Sequence, residues 1–81
     1  MSVTILEKAK WVGTIYVHLV GIEDYWVVQL SKYYGDVWFA STGEYFSDPI
    51  AAHNKFELLN ESNVEEVYTY MKNRGELEDL K

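Results

Sequence analysis

Apolar and polar positions alternate from Ile15 to Phe39, and two turns fold that alternation back on itself. Pairing Val20 with Tyr25 across Gly21-Ile22-Glu23-Asp24 sets Leu19 opposite Trp26, Val17 opposite Val28 and Ile15 opposite Leu30. Pairing Tyr33 with Asp36 across Tyr34-Gly35 sets Leu30 opposite Phe39 and Lys32 opposite Val37. Side chains alternate along strands, so the two pairings gather Ile15, Val17, Leu19, Trp26, Val28, Leu30, Val37 and Phe39 on one face. A one-residue slip at either turn would scatter that set over both faces. The pattern predicts a three-stranded antiparallel meander over 14–20, 25–32 and 36–42, with the second strand central. Ser41-Thr42-Gly43-Glu44 reads as the turn that ends it.

Two helices follow. Pro49 has no backbone N–H and suits the first helical position, and Asp48 before it is a good N-cap. Ala52, Phe56 and Leu59 then line one side of a helix over 49–59. Ser62-Asn63-Val64-Glu65 has the form of a capping box. Val64, Val67, Tyr68 and Met71 recur at the spacing of a helix lying on a core, over 63–74. Gly75 is a natural stop, and Lys72 and Arg74 complement the helix dipole before it. Residues 2–12 fit two readings. Val3, Ile5 and Trp11 suit an added strand, whereas Leu6, Ala9 and Lys10 suit a short helical turn opened by Ser2, which is the reading preferred here. The fold class is therefore α+β, a three-stranded antiparallel meander with two C-terminal helices packed on one face. Phe56, Leu59, Val64, Val67 and Met71 would meet Ile15, Val17, Val28, Leu30 and Phe39.

At 81 residues the chain makes a single domain, near the lower size at which a core suffices without staples. It has no cysteine, which removes disulfides and thiolate metal sites. Three Trp, seven Tyr and three Phe compensate, since each buries roughly 150–250 Å². Trp11 to Leu30 is the best candidate for a membrane span, and His18, Glu23 and Asp24 interrupt it. The N-terminus has no secretory pattern, so a cytoplasmic protein without a membrane partner is expected.

Charge is unevenly placed. The net charge is −6; residues 1–41 set four acids against three lysines, and residues 42–81 set nine acids against four bases. Phosphate neutralisation needs a basic stripe, and there is none. That excludes direct nucleic-acid binding, whether single strands on an aromatic sheet or duplex RNA on an α-β-β-β-α fold. Catalytic patterns are absent too: there is no Cys nucleophile, no G-x-S-x-G and no Gly-rich phosphate loop. His18 and His53 lack the spacing of a metal pair. No cofactor is implied, and an enzyme is not expected.

Two surfaces remain once the core is built. The far face of the meander would carry Tyr16, His18, Val20, Tyr25, Val27, Gln29, Ser31, Trp38, Ala40 and Thr42. Tyr and Trp there offer contact area at little rotamer cost, so Tyr16, His18, Tyr25 and Trp38 are candidate partner contacts. Residues 1–12 could instead cover that face, or a homodimer could form across it. The second surface is acidic: Glu57, Glu61, Glu65, Glu66, Glu76, Glu78 and Asp79. It is either a solvated helix face or a set of carboxylates that imitates a phosphate backbone and occupies the basic groove of a larger protein.

In size, charge and element order the chain resembles the small acidic inhibitors that bacteriophages use against host defence, of the anti-CRISPR and anti-restriction type. The resemblance covers the whole chain and no residue motif. It implies an intracellular inhibitor that binds and blocks a nucleic-acid-binding protein. The alternative from another class is a structural or assembly protein that associates with itself through the aromatic face.

Overall fold

The computed structural model describes residues 4–22 and 24–74, and for residues 4–7 only the course of the backbone. Its elements run β1 (Thr4–Val12), β2 (Ile15–Ile22), β3 (Tyr25–Tyr34), β4 (Val37–Phe46), α1 (Pro49–Leu58) and α2 (Val64–Arg74). The strands form one antiparallel sheet in the order β1-β2-β3-β4. The sheet thus has four strands where the sequence pattern predicts three, and Thr4–Val12 is a strand rather than a helical turn. Its Glu-Lys-Ala-Lys stretch suits a helix in isolation. Tertiary partners decide otherwise. On one side Lys10 Nζ donates to the Leu59 carbonyl (2.8 Å) and lies 4.7 Å from the centre of the Phe56 ring. On the other side Trp11 packs against Tyr16 and Tyr33 at 5.0 and 5.3 Å between ring centres.

Both predicted registers shift, with different consequences. Tyr25 pairs with Ile22, so Leu19 faces Val28 and Val17 faces Leu30. The connection is two residues long instead of four, as suits the twist of a hairpin. A shift of two keeps every side chain on its predicted face. Ile15, Val17, Leu19, Val28 and Leu30 are all fully buried.

The β3–β4 hairpin is different. Its turn is Gly35-Asp36, with Gly35 at φ 66°, and Tyr34 pairs with Val37 and Tyr33 with Trp38. The next pair is Lys32 with Ala40, which leaves Phe39 as the extra residue of a β-bulge. One inserted residue reverses the alternation beyond it. Leu30 therefore faces Thr42, not Phe39. Ala40 and Thr42 turn to the helix side and are buried there, while Phe39 is 53% exposed. Val37 keeps its predicted side but lies beyond the helices, at 66% exposure. The predicted turn at 41–44 is strand.

The helices are those predicted, and both lie on the Leu30 side of the sheet. Asp48 caps α1 by accepting the Ile50 N–H (3.1 Å), and Pro49 occupies its first position. The capping box does not form at α2. Asn60 and Asn63 take its place: the Asn63 side chain accepts the Asn60 N–H (2.9 Å), and Asn60 Oδ1 accepts the Ser62 N–H (2.8 Å). Glu65 turns away to bond Lys32. Ala52, Phe56, Leu59, Val64, Tyr68 and Met71 close the core over Val12, Ile15, Val17, Leu19, Val28 and Leu30.

Thr42 tests this packing. It is fully buried on the helix side, and its hydroxyl oxygen has no hydrogen-bond partner. An orphaned buried hydroxyl costs on the order of 1–3 kcal/mol. Thr42→Val keeps the shape and removes the orphan, so it is expected to raise stability by about 1 kcal/mol in urea unfolding. A fall in stability would mean that the hydroxyl is bonded in solution.

Candidate functional site

The register divides the sheet's side chains into two populations that differ in charge. Facing the helices are Lys8, Lys10, Lys32 and Glu44, each paired with an element above it. Facing away are Ala9 and Trp11 of β1, Tyr16, His18, Val20 and Ile22 of β2, and Tyr25, Val27, Gln29, Ser31 and Tyr33 of β3. Trp38, Ser41, Gly43 and Tyr45 of β4 complete that face. None of these carries a formal charge with His18 neutral. Both helices pack on the other side, so among the described residues no element lies over this face.

Its aromatic side chains form two clusters. Trp11, 59% exposed, stands between Tyr16 and Tyr33, and Tyr16 meets His18 edge to face at 5.3 Å. Toward the other end of the strands Tyr25 and Tyr45, both exposed, meet at 5.3 Å. Between the clusters the floor is polar and internally bonded. His18 Nε2–H donates to Gln29 Oε1 (2.8 Å), and the Ser31 and Ser41 hydroxyls share a hydrogen bond of 2.8 Å. Trp38 folds back over this floor, its indole N–H donating to Ser41 Oγ at 3.0 Å. These internal bonds fix the floor and leave the outer rings to make contacts.

Of the four aromatic-face residues predicted from sequence, Tyr16, His18, Tyr25 and Trp38 all lie on this face. Ala40 and Thr42, expected beside them, do not. Trp11, Tyr33 and Tyr45 were missed. The parity of β3 already placed Tyr33 beside Ser31, but β1 and the bulge in β4 had to be recognised before Trp11 and Tyr45 could be found. Residues 4–12 do not cover the face; they extend it by one strand.

The acidic candidates divide differently. Glu57 is ion-paired with Lys8, and Glu65 Oε1 accepts from Lys32 Nζ at 2.9 Å. Glu61 and Glu66 are exposed and have no ion-pair partner among the described residues. Glu76, Glu78 and Asp79 lie outside the described residues, as does Gly75. The hydrogen bond from Lys8 holds the Glu57 carboxyl below its ordinary value of 4.5, with the lysine's charge adding to it. The bond to Glu65 raises Lys32 above 10.5, against the opposing effect of burial.

A depressed carboxylate stabilises the fold above its unfolded pKa, and that contribution is lost as pH falls through the folded value. Lys8→Met is therefore expected to return the Glu57 midpoint to the ordinary carboxylate range in an NMR titration. It should also flatten the acid limb of the stability profile. An unmoved midpoint would show that Lys8 is not the cause.

Among the described residues no group of three His, Asp or Glu side chains comes together as a metal site, and no helix is long and apolar enough to cross a membrane. No family model, curated protein or solved structure matches the chain.

Proposed function

We propose that this protein is a non-catalytic protein-binding module that works through the sheet face that, among the described residues, is bare and uncharged. The observation that carries this reading is the Trp11–Tyr16–Tyr33 cluster, built on three strands and turned away from the helices. Rigid aromatic rings with few rotors are the side chains from which binding hot spots are made. The bonded floor of His18, Gln29, Ser31 and Ser41 means that few polar groups lose hydration unmatched when the face is covered.

A second reading, inhibition of a nucleic-acid-binding protein by a phage-type acidic surface, draws support from Glu61 and Glu66. Internal lysine partners at Glu57 and Glu65 reduce the charge it can present.

Affinity capture from the source cell with three baits separates the readings. The bare-face reading expects a partner held by the parent chain and by Glu61→Lys/Glu66→Lys, and lost by Trp11→Ala. The acidic-surface reading expects the reverse.

A further inference from the structure

Modes of peptide recognition differ in what they ask of a surface, and the described residues of the uncharged face meet the demands of one. Strand addition uses the open backbone of a sheet edge, whereas these side chains stand on the face of a paired sheet. Acidic and phosphorylated motifs need an Arg cluster, and basic motifs need carboxylates. No described side chain of the face carries a formal charge. A helix laid in a groove needs a continuous apolar bed, and here Gln29, Ser31, Ser41 and Gly43 lie between the two ring clusters. A ligand rich in hydroxyl groups finds few partners there either. The His18–Gln29 bond and the Ser31–Ser41–Trp38 bonds are closed among themselves.

What the face does offer is separate rings and hydroxyl donors. The Tyr16, Tyr25 and Tyr33 hydroxyls make no hydrogen bond among the described residues. Proline matches both features. Its ring is an uncharged apolar plate, and without an N–H it presents only a carbonyl acceptor. In a polyproline II helix those carbonyls have no internal partner, and such segments dock on aromatic-lined surfaces.

Length adds a further match. Tyr25 and Tyr33, one in each ring cluster, stand eight positions apart on β3, a span of about 27 Å. Val27, Ser31 and Ser41 are buried, so the strip between the clusters lies below the exposed rings. A polyproline II rod covers that span in about nine residues. Being extended and stiff before it binds, it loses less freedom than a flexible chain of the same reach.

From these features we infer that the occupant of the uncharged face is a proline-rich segment of a partner protein. It is held as a polyproline II rod running along β3, from the Trp11–Tyr16–Tyr33 cluster to the Tyr25–Tyr45 pair. This rests on the binding-module reading above and names the chemistry of its partner.

An NMR titration of the chain with capped decaproline, from about 10 µM to about 3 mM, tests the inference. Saturable shifts are expected at the amides of Trp11, Tyr25, Tyr33 and Tyr45, while those of Phe56 and Met71 stay fixed. Tetraproline, about 12 Å long, reaches one cluster only and is expected to bind at least about tenfold more weakly. Tyr25→Ala should bring decaproline down to the affinity of tetraproline, and Trp11→Ala should remove saturation over the whole range. Both rings are exposed, so both variants are expected to fold. Should either melt early, the parent chain with the two peptide lengths still decides. A capped Gly-Ser peptide of the same length, uncharged but flexible, should give no saturable shift. Salt up to about 1 M, where the Debye length is about 3 Å, should leave decaproline binding unchanged.

Absence of saturation with decaproline by about 3 mM overturns the inference. Equal affinity for the two lengths, an equal response to the Gly-Ser peptide, or shifts confined to the helix side overturn it as well. A cellular partner that is still captured through Trp11 then leaves the binding-module reading standing without its proline-rich ligand.

Discussion

Leu30→Ala is expected to remove about 3 kcal/mol of folding free energy, which is much of what so small a core supplies. Leu30 is fully buried on β3, between Val17 of β2 and Thr42 of β4 and beneath the helices. Truncation there loses the transfer energy of three carbons and leaves a cavity that a sheet, pinned by hydrogen bonds on both sides, cannot collapse. The urea midpoint should fall while the slope stays near that of the parent, since the surface exposed on unfolding hardly changes. Phe39→Ala is the informative control. Alternation in the sequence assigns Phe39 to the same core, whereas the bulge leaves it half exposed against Tyr34 at 5.1 Å. Its loss should cost under about 1 kcal/mol, the scale of a partly exposed aromatic contact. Equal costs at the two positions would show that the bulge is misplaced.

The same contrast explains what could be read in the sequence. Strands β2 and β3 are legible in the sequence because parity survives a register shift of two. Reading a four-residue connection in place of a two-residue one moves the register by two and leaves Ile15, Val17, Leu19, Val28 and Leu30 on one face. Strand β4 was not legible beyond Trp38. Nothing in Val37-Trp38-Phe39-Ala40 announces an unpaired residue, and a single one sends Ala40 and Thr42 to the other side. Helix boundaries were legible from Asp48-Pro49 and from the stripe Val64, Val67, Tyr68, Met71. The cap of α2 departs from the Ser62–Glu65 pattern because Glu65 bonds Lys32 of the sheet and not its own helix terminus. Strand β1 was hidden for a related reason. Lys8 and Lys10 look like solvated helix positions until Glu57, Phe56 and the Leu59 carbonyl are brought to them by the fold. With β1 unrecognised, Trp11 could not be counted as part of the candidate site.

Trp11 carries the larger functional expectation. Trp11→Ala should weaken binding of a protein partner by on the order of 2 kcal/mol, close to thirtyfold, with most of the loss in faster dissociation. Three features favour this position over Trp38. Its ring is well exposed, so little of its area serves the fold. Its edges are braced by Tyr16 and Tyr33, so little rotamer freedom is lost on binding. Trp38, in contrast, donates to Ser41 within the face, and its removal would disturb the floor as well as the contact. Tyr25→Ala, at the other end of the face, should produce a comparable loss if the partner spans both clusters. Salt should change these affinities little, because no described side chain of the face holds a formal charge to screen. Glu61→Lys/Glu66→Lys provides the opposing comparison: it should leave dissociation unchanged, and at most alter the association rate through long-range steering. A partner whose affinity falls steeply with salt and with the charge reversal, while ignoring Trp11→Ala and Tyr25→Ala, would move the binding surface from the sheet to the helices.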